Sequence, residues 1–96
     1  RLQQFYVYIL TNKTNSVLYT GFCKNIIARV WQHKNSPSGF SKKYSLNKLV
    51  HFEIINNLYA ALKREVQIKR WHKHWKIKLI ENKNPKWKDL FFELIK

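Results

Sequence analysis

The chain has 96 residues, 19 of them Lys or Arg against five Asp or Glu, and carries a formal charge of +14 while 45% of its positions are apolar. A chain of this size buries roughly 60–70% of the surface it exposes when unfolded, enough for one core and not two, and 16% aromatic content argues against disorder. A lone Cys23 excludes an internal disulfide or a CxxC zinc pair, and the longest apolar run, the six residues Phe5–Leu10, falls far short of the ~20 that cross a bilayer.

With no signal-peptide pattern at its start, the sequence reads as a cytoplasmic protein, one domain over residues 1–96. Phe5–Leu10, rich in β-branched and aromatic residues, predicts a strand; Thr11–Ser16 supplies turn formers; Val17–Phe22 predicts the returning strand of a hairpin. A connection symmetric about residues 13 and 14 would set Tyr6 opposite Gly21, Tyr8 opposite Tyr19 and Leu10 opposite Val17. Asn25 is a candidate cap for a helix over about Ile26–Lys34, with Ile26, Ile27, Val30 and Trp31 as its buried stripe. Ser36–Tyr44 reads as a loop from its Pro, Gly and Ser, and Lys48–Ile55 as a third strand. Leu58 to about Trp71 is a second helix, roughly Lys76–Glu81 a short one, and Pro85 opens a last amphipathic segment with Trp87, Leu90, Phe91 and Leu94. The fold class is therefore α+β: a small three-stranded antiparallel sheet flanked by helices, in the order β-β-α-β-α-α with a C-terminal helix.

The charge is unevenly distributed. Residues 1–52 hold eight Lys or Arg and no carboxylate; the acids are Glu53, Glu65, Glu81, Asp89 and Glu93. Such a field attracts polyanions, and because the cations are dispersed rather than gathered on one amphipathic helix, nucleic acid is favoured over a membrane surface. Lys42 and Lys43 end the expected loop. The densest basic stretch, Lys63–Lys78, contains Lys69, Arg70, Lys73 and Lys76 and interleaves Trp71 with Trp75. It reads as a surface that touches a nucleic-acid backbone with little base specificity; the two tryptophans, four apart, serve equally as one buried helix face. His72 and His74 are two apart on a helix and lack neighbouring ligands, so they make no metal motif.

Glu65 follows Ala61 by four residues and Leu62 by three, which puts it within about 60° of the apolar stripe. An inward carboxylate needs a cation, a metal or hydrogen bonds; the alternative is a stripe-edge position and an ordinary pair with Lys69. Tyr6, Tyr8 and Tyr19 fit cross-strand packing, yet a phenol amid positive charge is also a candidate base. Arg29 and His33, four apart on the first helix, share a strip, and Arg29 offers a planar fork for phosphate.

Taken together, Tyr6-Val7-Tyr8, Tyr19-Thr20-Gly21, Arg29, His33 and the later inward Glu65 resemble the GIY-YIG endonuclease family, in its small single-domain branch, over essentially the whole chain. Ala61–Glu65 and the tail Asn84–Leu90 are also similar. Tyr6 and Val7 stand where the family's first triplet has Gly and Ile, and Thr20 stands where the second has Ile. The resemblance implies a metal-dependent endonuclease that hydrolyses DNA phosphodiesters with one divalent cation, Mg²⁺ or Mn²⁺, in DNA repair or recombination. It implies that Glu65 holds the ion, that Arg29 stabilises charge on phosphorus, that Tyr8 and Tyr19 position and deprotonate water with His33 assisting or binding phosphate, and that Gly21 and Asn84 belong to the rim. Glu65 is then expected in one pocket with the phenols and Arg29. The competing expectation is a non-catalytic basic module that binds DNA or RNA; a protein partner is not identified by the sequence.

Overall fold

The computed structural model describes residues 3–36 and 38–96; Pro37, part of the expected loop, lies outside them. Strands β1 (Phe5–Thr11), β2 (Leu18–Cys23) and β3 (Lys48–Ile55) form an antiparallel sheet in the order β2-β1-β3, which makes β1 central and β2 an edge. Helix α1 (Ile26–Asn35) follows the hairpin, then a short α2 (Gly39–Tyr44), then after β3 come α3 (Leu58–Arg70), α4 (Lys73–Lys83) and α5 (Phe91–Leu94). The expected fold class and element order hold, with α2 as an addition.

Alternation along β1 divides the core in two. Tyr8 and Leu10 face one side, where they pack with Cys23, Ile26, Val30, Leu46, Leu49 and Phe91. Phe5, Val7 and Ile9 face the other side and meet Val50, Ala61, Ile68 and Ile80. Central β1 is thus covered on both faces, which its near-continuous apolar run requires. Helix α1 covers the first face, α3 and α4 the second. In β3, Leu49 opposes Leu10 but His51 opposes Ile9, so Val50 is an extra residue that bends the strand.

The hairpin register differs from the sequence expectation by two residues: Tyr6 pairs with Cys23, Tyr8 with Gly21 and Leu10 with Tyr19. The cause is local. Asn12 folds its side chain into the turn, where Oδ1 accepts from the backbone N–H groups of Ser16 (2.8 Å) and Val17 (3.2 Å), and Asn15 takes a left-handed φ of 60°. The turn therefore runs through residue 17, and a shift of two leaves every side chain on its expected face.

Helices α1 and α3 each start with an asparagine cap. Asn25 Oδ1 accepts from Ala28 N–H at 3.0 Å and Asn57 Oδ1 from Ala60 N–H at 2.9 Å. On α1 only Ile26 and Val30 are buried; Ile27 and Trp31, expected in the stripe, are exposed, because α1 meets the sheet along a narrow line. Helix α4 is longer than expected, starting at Lys73. The tail returns to the sheet: Asp89 accepts from Leu49 N–H and Phe91 N–H, both at 3.1 Å, and pairs with Lys34 at the end of α1.

Candidate active site

The first face of the sheet gathers four of the expected residues. Tyr8 projects from central β1 across Gly21 on the edge strand, and a Cβ at Gly21 would stand 2.5 Å from both Cζ and Oη of that ring. Glycine at this position is what lets the phenol lie flat over β2. Tyr19, one step diagonal to Tyr8, approaches to a centroid separation of 6.4 Å, and His33 from α1 lies 6.4 Å from Tyr8 and 6.1 Å from Tyr19. Tyr8 and Tyr19 are thus diagonal neighbours and not the directly opposed pair expected.

Arg29, one helical turn before His33, is exposed at the mouth. With Tyr19, Gln32, His33, Ser36, Ser38 and Ser41 it lines a cavity of about 270 Å³. One guanidinium, one imidazole, one amide, one phenol and three serine hydroxyls around a small concavity offer many hydrogen-bond donors and no carboxylate, a composition suited to a phosphate.

Electrostatics refine the roles. Tyr8 is fully buried and its hydroxyl has no hydrogen-bond partner. Burial, reinforced by Tyr19, pushes its phenol well above the usual value; Arg29 opposes this without making a hydrogen bond of ordinary geometry. The direction is opposite to the expectation that local positive charge would favour phenolate, because desolvation outweighs attraction. His33 is pulled below its usual value, first by burial and then by the Arg29 charge, so it is neutral at pH 7. Its Nδ1 lies 2.7 Å from Ser41 Oγ. Burial raises the Cys23 thiol to about 11, with Arg29 only partly opposing, so it stays protonated at neutral pH.

Ser41 and its helix escaped the sequence reading. The one signal was Phe40 and Tyr44 four apart, a helical spacing masked by surrounding Ser, Gly and Pro.

Glu65 is not in this cavity. It lies on α3, which packs on the opposite face of the sheet against β1 and β2. Set between buried Ala61 and Ile68, it faces inward as expected, its side chain only 17% exposed, and its carboxylate pairs with Lys69 at 3.1 Å. The ion pair is the one the stripe-edge alternative named, made by a carboxylate that is mostly buried. Thr20, the departure in the second triplet, also faces the α3 side, and its buried hydroxyl has no partner.

Glu53 on the sheet and Asp89 on the tail are engaged. Glu53 takes two bonds from Arg64, at 2.8 and 2.9 Å, and one contact with His51 at 2.9 Å; Asp89 holds Lys34 and the β3 backbone. Among the described residues no group of three or more His, Cys, Asp and Glu forms a metal centre. Glu65 fits a different arrangement: a hard oxygen donor whose Lys69 partner is half-exposed and displaceable, able to act as the one protein ligand of a Mg²⁺-type ion that keeps water and phosphate oxygens as its remaining ligands.

Asn84 does not line the Arg29 cavity. It is buried, its amide donates to Val50 O (3.1 Å) and Lys88 O (2.9 Å), and its Oδ1 accepts from Lys88 N–H, so it ties α4 to β3. The basic candidates divide. Lys42, Lys43 and Arg70 are exposed; Lys69 pairs with Glu65; Lys73 donates to Ser16 O and anchors α4 to the hairpin turn. Lys76 is half-buried, and burial followed by repulsion from Lys69 lowers its pKa. Trp71 packs on the second core with Arg64 over its ring, whereas Trp75 is 50% exposed.

The family model for the GIY-YIG catalytic domain matches residues 4–78. The chain belongs to the GIY-YIG family. A GIY-YIG domain is that of a nuclease family whose members are generally metal-dependent. The UPF0213 protein of Syntrophus aciditrophicus (strain SB) is 40% identical over 82 residues, 83% of this chain and 92% of the relative. That of Clostridium perfringens (strain 13 / Type A) is 40% identical over 85 residues, 84% of this chain and 87% of the relative. The solution NMR structure of the UPF0213 protein BH0048 from Bacillus halodurans, 23% identical, superposes with a TM-score of 0.58 over 90% of this chain and 92% of that one, a likeness of fold. None of these names specifies an activity. Among the described residues no helix is long and apolar enough to cross a membrane.

Proposed function

We propose that the whole chain, 1–96, is a metal-dependent endonuclease that hydrolyses DNA phosphodiesters. The observation that carries this reading is the cavity where Arg29, His33, Tyr19 and Ser41 converge over buried Tyr8. In it Arg29 binds the non-bridging oxygens of the scissile phosphate and offsets the charge that grows on them at the pentavalent stage. His33, neutral at pH 7 and held by Ser41 through Nδ1, presents Nε2 to accept a proton from the attacking water. Tyr19 orients that water. Tyr8 stays protonated, and its unpartnered hydroxyl fixes the next oxygen in the chain of hydrogen bonds.

Glu65 would hold the divalent ion, Mg²⁺ or Mn²⁺, which when bound supplies charge neutralisation at the phosphate. Because β2 is an edge strand, a phosphate lying along that edge is approached both by the phenols on one face and by α3 on the other. Lys42, Lys43 and Arg70 attract the duplex through its backbone, and a lone buried thiol suits a cytoplasmic setting. The setting proposed for this activity is DNA repair or recombination.

The test is conversion of supercoiled plasmid with Mg²⁺ or Mn²⁺, with and without chelator, by the parent, Arg29→Ala and Glu65→Ala. Loss of about 10²-fold or more in each variant is expected, with DNA binding retained by Glu65→Ala and weakening steeply as salt rises. Equal conversion in all samples refutes the reading, and salt-sensitive binding without metal-dependent cleavage identifies a basic binding module instead.

A further inference from the structure

Phe40 poses a question the hydrolytic site does not answer. It projects from α2 with 48% of its surface exposed, although the same short helix buries Ser41 in the cavity wall. Its ring is held at one side by Tyr44, centroids 4.6 Å apart, and reaches Tyr19 at 5.9 Å. The three rings form a row in which half-exposed Phe40 is the middle member, between the cavity residue Tyr19 and Tyr44, which is partly buried against the first core. Resting on the nuclease reading, we propose that Phe40 is a stacking platform for an unpaired base of the DNA strand whose phosphate occupies the Arg29 cavity, so that the preferred substrate carries a single-stranded segment beside the scissile bond.

Three observations converge on a nucleotide as the occupant. The platform is continuous with the phosphate-shaped cavity: Tyr19 belongs to both, and Ser38 and Ser41, which line the cavity, flank Phe40 in sequence. Its surroundings are cationic, with Lys42 and Lys43 exposed on the same helix, Lys43 over the Tyr44 ring at 5.3 Å, and no carboxylate anywhere in residues 1–52. A flat apolar face beside anion-binding groups matches a molecule that alternates phosphates with aromatic rings. Finally, the ring is held in place before any ligand arrives, which limits the entropy lost on stacking. Bases inside a duplex already stack on their neighbours and offer only their edges, so a free face exists only where pairing is absent.

The experiment uses the full chain in chelator, without divalent ion, so that binding is read apart from cleavage. Oligonucleotides of one sequence, single-stranded, overhanging or fully paired, carry 2-aminopurine beside the junction and a terminal fluorophore for anisotropy. The parent is expected to bind the unpaired forms about tenfold more tightly than the duplex and to quench 2-aminopurine on binding. Phe40→Ala is expected to lose both the preference and the quenching, and Phe40→Trp to keep them. Equal affinity of the parent for paired and unpaired DNA, or preference and quenching that survive Phe40→Ala, overturns the proposal. Plasmid cleavage that fails while the Phe40 effect persists removes the nuclease reading alone; intact metal-dependent cleavage without a Phe40 effect removes the platform alone.

Discussion

Gly21→Ala isolates the contact on which the arrangement of Tyr8 depends. The added Cβ would lie 2.5 Å from Cζ and Oη and 3.0 Å from Cε1 of Tyr8. The ring has no room to swing aside, being fully buried and bracketed by Tyr19 and His33. Overpacking of this kind costs about 1–3 kcal/mol. Gly21 sits in a strand without a positive φ, so alanine recovers roughly 0.5–1 kcal/mol of backbone preference. The net expectation is destabilisation by about 1–2 kcal/mol, a fall in Tm of roughly 5–10 °C for a chain of this size, together with a larger loss of plasmid cleavage because the phenol is displaced. Tyr8→Leu removes Cζ and Oη, so in that background Gly21→Ala is expected to be neutral or stabilising. Thermal and urea melts of the four proteins in the cycle give the coupling. A Gly21→Ala protein as stable and active as its parent would refute the reasoning.

Acid stability is expected to depend on Glu53. Burial raises its carboxyl, but hydrogen bonds from His51 and Arg64 and the Arg64 charge outweigh that and hold it at about 2 against an ordinary 4.5. A lowered folded pKa means that the unfolded chain takes up the proton first; stability of about 3 kcal/mol is present above pH ~4.5 and lost as pH falls toward ~2. Urea midpoints measured across that range should fall for the parent and stay flatter for Glu53→Gln, and parallel slopes would count against the network. For His33, NMR titration should give a midpoint below the usual 6.5, because burial and Arg29 both disfavour its charged form. Its contribution to stability is present above pH 6.5 and declines as pH falls through that lowered midpoint. Arg29→Ala should raise the midpoint, and an unmoved value would show that the two groups do not sense each other.

Much of this fold was legible because its signals are short-range. Asn25 announced the start of α1 through its own cap, and the β-rich run Lys48–Ile55 matched β3 to the residue. Face assignment in the hairpin survived a wrong register, since a slip of two preserves parity; what defeated the register was the Asn12 side chain, a contact of the turn with itself that strand patterns do not report. Spacing alone put Glu65 inward, but whether an inward helical residue meets the near or the far side of a sheet is decided by the crossover, which single-helix periodicity does not encode. Asn84 entered the site through the family resemblance, and only the backbone carbonyls around it reveal a strut. The sign of the Tyr8 shift was likewise hidden, since charge can be counted from sequence and dehydration cannot.

Asp89 stakes the far end of α1 through Lys34, and the catalytic-domain match stops at residue 78, well before that stake. A version pruned after Lys83 would still contain every candidate reactive group, yet the helix that aims Arg29 and His33 would be unmoored. Anyone transplanting this unit into another protein would have to carry the closing segment along, though none of the reacting groups resides in it.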